Sequence, residues 1–356
     1  MADAIKLKPG EPQAGVIAHI VEPGLDWWGS DGDRHTGGPI WPDSAYRIGS
    51  VDKTFSAVVV LQLAGEHRIE LDRPVQDYLP GALPPHSVDG RSGFGPVTVR
   101  HLLTMTSGLP EIDAGLPPAT PDELIDGRFA YRDFDQIIND TLRPRDRPWP
   151  GEVFPPGTQQ EYNTLNYRFI GALIERVTGH SFAQEVQSRI LRPLRLDRTF
   201  LPERDARMPW PHLVGYARNS RGDLVDVSVQ RGEPNFITST PSDVQRFFAA
   251  LFRGELLAPA QQVELFTTPD VPYRDKRNCI VVTRPGWACF SAGLVRVDLP
   301  GGHTIWGKSG SNLGYTGAAF ATRDFSRSVV VDTSNSDHSG PPPAVTIRLL
   351  EAAFEN

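Results

Sequence analysis

Ser50 and Lys53 stand three residues apart, near the start of the segment from Tyr46 to Ala64. A helix that begins after Gly49 would place both side chains on one face, about 6 Å apart. A serine hydroxyl becomes a good nucleophile when a neighbouring base takes its proton, and a lysine can be that base only when it is uncharged. Burial, a helix N-terminus and a second cation would each lower the lysine pKa, so the pair predicts an activated serine.

The S-x-x-K pattern is short, and its simpler interpretation is a capping serine followed by a solvated charge. Lysine usage favours the chemical interpretation. Of the 36 lysines and arginines in the chain, only five are lysines. The chain therefore supplies positive charge mainly with arginine, which cannot give up its proton to act as a base.

Two other segments carry groups suited to the same chemistry. Tyr162 lies in a loop just before a predicted helix. There a phenol can pass a proton to a leaving group, and two nearby lysines would lower its pKa; packing is the alternative role. The second segment is Lys308, Ser309, Gly310 and Ser311. As a strand edge it would bring a cation, hydroxyls and acyl-binding N–H groups to a cleft, whereas an ordinary glycine-rich hairpin would not.

Other catalytic and binding motifs are not supported. The segment from Gly302 to Ser309 fits the phosphate-loop pattern G-x-x-x-x-G-K-[ST], but that loop must be followed by a helix. Here His303 to Trp306 reads as a strand, and the glycines that follow cannot start a helix. The chain also has no G-x-S-x-G nucleophile elbow and no H-E-x-x-H pattern, so we expect no metal and no cofactor.

The elements that hold these residues follow from hydrophobic periodicity. Beyond Lys53 the segment is apolar all round, which predicts a helix that is buried on every side and ends at Gly65. Other helices are predicted at 97–110, 134–142, 167–178, 182–191, 241–252 and 344–354. Strands are predicted at 16–21, 27–29, 280–283, 292–297, 303–306, 316–321 and 327–333. Strands thus lie towards both chain ends, with helices and loops between them.

Composition limits the class of protein. The 356 residues are 39% hydrophobic and 22% charged, with a net charge of −7 and a pI near 5.7. These values predict a soluble globular protein that binds no nucleic acid. The longest apolar run, 57–64, is too short to cross a membrane, and the N-terminus lacks a signal-peptide core. We expect a cytoplasmic protein unless a leader was removed. Cys279 and Cys289 match no metal or redox pattern; free thiols are expected inside a cell, and a disulfide is the alternative.

Taken together and in this order, the three motifs resemble those of the serine β-lactamase and penicillin-binding protein superfamily. The nearest branch holds class C β-lactamases, DD-carboxypeptidases and related esterases. Supporting segments lie at 48–55, 97–110, 167–179, 193–200 and 238–243. The resemblance implies an α/β (α+β) fold, with an antiparallel sheet flanked by helices and an inserted helical lobe. It places residues 1–85 with 270–356 in one lobe, 86–269 in the other, and the active site between them.

The resemblance also implies roles for the motif residues. Ser50 would be the acylated nucleophile, Lys53 its base partner and Tyr162 the general acid and base. The groove would be lined by Lys308, Ser309 and Gly310. The backbone N–H groups of Ser50 and Ser311 would form the oxyanion hole.

One position departs from the family pattern. The second motif of the family is Tyr-x-Asn, whereas this chain has Tyr162-Asn163-Thr164. The Thr164 hydroxyl cannot replace a carboxamide that grips the acylamide of β-lactams and peptides, and Asn163 is expected to point away. We therefore expect a serine hydrolase or acyltransferase that acts on a small ester, amide or peptide. The alternatives are a D-alanyl-D-alanine carboxypeptidase or β-lactamase, and a catalytically silent binding protein on the same fold.

Overall fold

A computed structural model of the chain describes residues 1–32, 40–86, 93–112, 119–143, 151–274, 279, 284–299, 302–335 and 341–354. The strands in these ranges are β1 (Gln13–Glu22), β2 (Leu25–Gly32), β3 (Tyr46–Arg47), β4 (Tyr216–Arg218), β5 (Leu224–Asp226), β6 (Thr238–Ser239), β7 (Val295–Asp298), β8 (Thr304–Asn312), β9 (Gly314–Thr322) and β10 (Ser328–Asn335). The α-helices are α1 (Asp52–Gly65), α2 (Val75–Tyr78), α3 (Val99–Leu103), α4 (Pro121–Gly127), α5 (Phe134–Leu142), α6 (Leu165–Thr178), α7 (Phe182–Val186), α8 (Arg192–Leu194), α9 (Pro241–Phe252), α10 (Pro259–Leu265) and α11 (Ala344–Phe354).

The main sheet joins the two ends of the chain. Its six strands are antiparallel, in the order β2-β1-β10-β9-β8-β7. Successive residues from Val16 to Ile20 on β1 are all buried. Because successive side chains of a strand point to opposite faces, both faces of the sheet are covered here. Helices α9 and α11 pack against β1 and β10. This architecture confirms the predicted fold class.

Helix α1 is the central helix of the core. Ten successive residues from Asp52 to Leu61 are buried, and the helix packs against α6, α7 and α10. Phe55 stacks on Phe247 of α9 with ring centroids 3.8 Å apart. An apolar surface on every side predicts this position, because each face of the helix has a neighbour to bury it. A side chain at the start of α1 is therefore held by a rigid element.

Most predicted elements are present. Helices α5 and α11 have the predicted bounds, whereas the helix predicted at 97–110 is only the single turn of α3. The strand predicted at 303–306 continues to Asn312 as β8, so residues 302–309 contain no phosphate loop. The strand predicted at 280–283 lies outside the described residues. The division into two lobes at residues 85 and 270 stays a prediction.

The expectation of free thiols is wrong, because Cys279 and Cys289 are joined by a disulfide bond. Their Cα atoms are 5.5 Å apart, which is within the range that a disulfide spans. Sequence spacing alone cannot give this distance, since it depends on how the chain folds between the two residues. In the described part of the chain, no helix combines the length and the apolar character that a membrane span requires.

Candidate active site

Ser50 lies in a tight turn that leads into α1. Residues Gly49–Val51 form a 3₁₀ turn, and Gly49 has a φ of 52°, which favours glycine. A Cβ atom on Gly49 would lie 2.6 Å from the backbone nitrogen of Ser311. The missing side chain therefore lets β8 pass directly against the turn that carries Ser50.

The Ser50 hydroxyl is in contact with two of the predicted functional groups. Lys53 Nζ donates a hydrogen bond to Ser50 Oγ at 3.1 Å. The Tyr162 hydroxyl lies 2.7 Å from the same Oγ atom and is hydrogen-bonded to it. Lys53 is one helical turn beyond Ser50, as the spacing predicts, whereas Tyr162 arrives from a segment 112 residues further along the chain. A nucleophile and two proton-carrying groups thus meet at one oxygen atom.

Tyr162 is held in place by contacts that sequence reasoning missed. Its backbone N–H donates to the Tyr273 hydroxyl at 3.2 Å. The Gln160 side chain is fully buried and donates to the carbonyl oxygens of Thr104 and Phe290, both at 2.8 Å. Gln160 also accepts the backbone N–H of Phe290, whose ring centroid is 5.4 Å from that of Tyr162. No signal in the sequence could reveal these contacts, because the partners are far apart along the chain.

Lys308 lies on β8 and is 4% exposed. Its ammonium nitrogen is 4.8 Å from the centroid of the Tyr162 ring and 5.8 Å from that of Phe290. It donates a hydrogen bond to the Ser309 carbonyl at 2.9 Å. The Tyr162 ring is therefore close to two ammonium nitrogens, because Lys53 Nζ is 5.6 Å from the same ring centroid.

The strand edge predicted from 308–311 lies beside Ser50. A Cβ atom on Gly310 would be 2.0 Å from the carbonyl oxygen of Ile48 and 3.0 Å from the backbone nitrogen of Ser50. Only glycine permits this approach. The side chains of Ser309 and Ser311 are exposed, so the strand presents hydroxyls to solvent next to the nucleophile.

The pKa of Lys53 is raised, which overturns the expectation of an uncharged amine. Burial by itself lowers this pKa, but the attraction of Tyr162 and of the Asp52 carboxylate outweighs burial. The sequence argument considered burial and a second cation and left out these two opposing groups. The raised pKa favours the charged ammonium form of Lys53, which cannot accept the serine proton.

The pKa of Tyr162 is lowered, as predicted. Burial alone would raise it, but the ammonium groups of Lys308 and Lys53 and the hydrogen bond with Ser50 outweigh burial. The pKa of Lys308 is also lowered, chiefly because its charge is buried. The two neighbouring cations thus favour the anionic form of the Tyr162 phenol, the form that can accept a proton.

The second motif shows how the chain differs from a Tyr-x-Asn site. Asn163 is buried, donates to the Leu109 carbonyl at 2.7 Å and accepts the Asn166 N–H at 3.2 Å. It points away from Ser50, as expected. Thr164 is half-buried, and its backbone N–H is bound by the Glu111 carboxylate at 2.9 and 3.1 Å. Within the described residues, the Thr164 side chain makes no hydrogen bond to the groups around Ser50.

Four aromatic residues in the last quarter of the chain, Trp287, Phe290, Trp306 and Tyr315, have different surroundings. Phe290 contacts Tyr162 and Lys308 and therefore belongs to the wall of the site. Tyr315 is fully buried and donates to the Leu213 carbonyl, and Trp306 packs on Phe266. Trp287 stacks under the Arg284 guanidinium.

The described residues contain no group of three His, Cys, Asp or Glu side chains that could hold a metal ion. The side chains clustered at Ser50 are instead those of Lys53, Tyr162 and Lys308, and the backbone of β8 lies beside them. These groups are suited to nucleophilic attack on an acyl carbon, with proton transfer through the phenol.

Comparison with known proteins agrees with this chemistry. Esterase EstB of Burkholderia gladioli is 28% identical over 348 residues, which are 90% of this chain and 85% of EstB. A β-lactamase of Escherichia coli strain K12 is 28% identical over 212 residues, or 59% of this chain and 48% of that protein. The chain thus spans most of EstB but about half of the β-lactamase.

Comparison with solved structures also identifies proteins of similar fold. A D-stereospecific amidohydrolase from Streptomyces sp. superposes with a TM-score of 0.81 and 27% identity, over 99% of this chain and 97% of that one. A D-amino acid amidase from Ochrobactrum anthropi SV3 superposes with a TM-score of 0.74 over 96% and 93% of the two chains. Its 21% identity supports the fold alone. A family model described as Beta-lactamase matches residues 13–354. The chain therefore belongs to the beta-lactamase family, a family of serine hydrolases, as its three motifs predict.

Proposed function

We propose that this chain hydrolyses carboxylic esters or amides of small molecules through an acyl-enzyme on Ser50. The observation that carries the proposal is the contact of the Ser50 hydroxyl with both Lys53 and Tyr162, at 3.1 and 2.7 Å. The proposed catalytic residues are Ser50, Lys53, Tyr162 and Lys308. The relatives named esterase and amidohydrolase support an ester or amide substrate.

In the acylation step, Ser50 Oγ attacks the carbonyl carbon of the substrate. The Tyr162 phenolate takes the proton of the Ser50 hydroxyl, and the electron pair of the substrate C=O bond moves onto the carbonyl oxygen. When the tetrahedral intermediate collapses, the bond to the leaving group breaks, and Tyr162 returns the proton to the departing alcohol or amine. Lys53 stays protonated and donates its hydrogen bond to Ser50 Oγ, which stabilises the developing negative charge.

The backbone N–H groups of Ser50 and Ser311 would hold the oxyanion. Ser311 lies on β8, whose backbone packs against the Ser50 turn because Gly49 and Gly310 have no side chains. Because both backbone donors are fixed on rigid elements, they need not move as negative charge develops on the substrate oxygen. Gly310, Ser309 and Thr164 would line the binding groove on either side of the acyl group.

In the second step, water attacks the acyl carbon and gives its proton to Tyr162. The ester bond to Ser50 then breaks, and the serine oxygen regains its proton. An alcohol or amine in place of water would give acyl transfer by the same steps. The proposed reaction uses proton and acyl transfers only.

A covalent label tests the position of the nucleophile. Incubation with a fluorophosphonate should add one phosphonyl group per chain, because Ser50 Oγ displaces fluoride from phosphorus. Peptide mapping by mass spectrometry should place the adduct on the peptide that contains Ser50. Substrate turnover by a protein whose Ser50 remains unlabelled at saturation would contradict the proposal.

Thr164 makes a β-lactamase or carboxypeptidase activity the less favoured alternative. A site that lacks the carboxamide leaves the acylamide of a β-lactam unpaired, and such losses reduce kcat/KM strongly. We expect kcat/KM for nitrocefin to be about 100-fold below that for p-nitrophenyl acetate. The variant Thr164→Asn should reduce this difference in kcat/KM between the two substrates. Efficient nitrocefin hydrolysis by the unaltered chain, with penicillin trapped on Ser50, would instead support the alternative.

A further inference from the structure

Asp52 is a buried carboxylate inside the motif that carries Ser50 and Lys53. It is 2% exposed and begins α1, a helix that is otherwise apolar for most of its length. Its Oδ1 atom is 3.8 Å from Lys53 Nζ and accepts no hydrogen bond from the described residues. A buried carboxylate is costly unless a neighbouring charge compensates it. The charged residue in an apolar helix was the visible signal, and sequence reasoning overlooked it.

Lys53 is the nearest charged partner of Asp52. Arg168 on α6 is also buried, but its guanidinium donates to Asn235 at 2.5 Å and to Glu233. Glu233 in turn pairs with Arg132, with Nη2 and Oε1 3.6 Å apart. Arg168 therefore has a counter-charge of its own, although it still attracts Asp52.

We propose that Asp52 is a positioning residue that keeps the Lys53 ammonium group charged during the reaction, so that the proton of Ser50 passes to Tyr162. This inference rests on the proposed function. An ammonium and a carboxylate at this separation in a buried site attract each other strongly. Burial raises the pKa of Asp52, while Lys53, Arg168 and Lys308 oppose that rise and favour the carboxylate. Without Asp52, Lys53 would lie among Tyr162, Lys308 and Arg168 without an adjacent carboxylate.

The sign of the effect follows from the groups that face Asp52. They are Lys53 on α1, Arg168 on α6, Lys308 on β8 and Glu233. The active form has Lys53 and Lys308 protonated and Tyr162 ionised. Removal of the carboxylate lowers the pKa of both lysines, because Asp52 raises each of them. At high pH, kcat/KM falls as a lysine loses its proton; this fall is the basic limb of the pH profile. In the variant, the basic limb should therefore move to lower pH.

The variant Asp52→Asn tests the inference, since the amide keeps the shape and removes the charge. We expect the basic limb to move down by about one pH unit or more. If Lys53 were instead the uncharged base, the acid limb would report the pKa of Lys53, and the same variant would move that limb to lower pH. An unchanged basic limb would overturn the inference. Should Asp52→Asn fail to fold, Asp52→Ser removes the same charge with a smaller side chain.

A parallel measurement assigns the shift to Lys53. Arginine does not lose its proton in this pH range, so the basic limb of Lys308→Arg reports on Lys53. If Asp52→Asn still moves the limb in that background, Lys53 is the affected group; if the shift vanishes, the inference is wrong. Asp332→Asn is a control for the loss of a buried acidic side chain away from Lys53, because Asp332 on β10 is also buried and its Oδ1 atom is unpaired within the described residues. Its profile should match that of the unaltered chain.

The same experiments separate this inference from the proposed function. If Ser50→Ala retains full activity, the acyl-enzyme proposal fails. If Ser50→Ala is inactive but Asp52→Asn has an unchanged basic limb, only the role of Asp52 fails.

Discussion

Replacing Ser50 by alanine is expected to lower kcat/KM for a p-nitrophenyl ester by about 10⁴-fold or more. The substitution removes the oxygen atom to which Lys53 and Tyr162 are both hydrogen-bonded, so the two groups have no nucleophile to act on. Groups that work as a unit lose nearly all of their effect when one is removed. Steady-state hydrolysis, with active-site titration of the unaltered chain, measures the ratio of kcat/KM between the unaltered chain and the variant.

Ser56→Ala is the matched control for this prediction. Ser56 lies on the same helix, is fully buried and donates to the Asp52 carbonyl at 3.1 Å. Its loss removes one hydroxyl from α1 without touching the groups around Ser50. We expect near-normal activity and a small loss of stability, on the order of 1 kcal/mol. Comparable losses in the two variants would mean that helix integrity, rather than the Ser50 hydroxyl, sets the rate.

The sequence predicts the groups of the site better than their arrangement. Ser50 and Lys53 could be paired from spacing alone, because three residues along a helix fix their separation. The approach of Lys308 to this pair could not be predicted from the sequence, because it depends on β8 packing against Gly49 and Ser50. The sequence shows glycines at 49 and 310, but it does not show that each makes room for the other segment.

The charge on Lys53 shows why electrostatics needs the structure. Burial alone lowers a lysine pKa, whereas an adjacent anion raises it, so the outcome depends on distances that the sequence lacks. Asp52 is next to Lys53 in sequence, yet its effect depends on its burial beside the ammonium group. The lowered pKa of Tyr162 was predictable, because two cations act on the phenol in the same direction.

The fold could be predicted where local pattern determines it. The apolar surface of α1 and the bounds of α5 and α11 follow from periodicity. The disulfide between Cys279 and Cys289 does not, because no periodic pattern reports the distance between two loop residues. The contacts that hold Tyr162 through Gln160 were also invisible, since they join three segments far apart in the chain.

Replacing Tyr162 by phenylalanine is expected to lower kcat/KM by about 10²- to 10⁴-fold. The ring and its contact with Phe290 remain, but the oxygen 2.7 Å from Ser50 Oγ is lost. The raised pKa of Lys53 favours its charged form, so among the described side chains that are hydrogen-bonded to the Ser50 hydroxyl, Tyr162 is the one suited to accept its proton. In a burst experiment, the acylation rate should fall in parallel with kcat/KM, because the missing group acts in acylation.

The pH profile of this variant distinguishes proton transfer from packing. In the unaltered chain, kcat/KM should fall as the pH drops through the lowered pKa of Tyr162, because the phenolate becomes protonated. That acid limb should disappear in Tyr162→Phe, whose residual activity no longer depends on this group. Tyr167→Phe is the matched control: Tyr167 is fully buried, and its hydroxyl donates to the Leu103 carbonyl rather than to Ser50. It should keep both the rate and the acid limb, apart from a small loss of stability. An acid limb that persists in Tyr162→Phe would mean that another group accepts the serine proton, and the role assigned to the phenol would then be wrong.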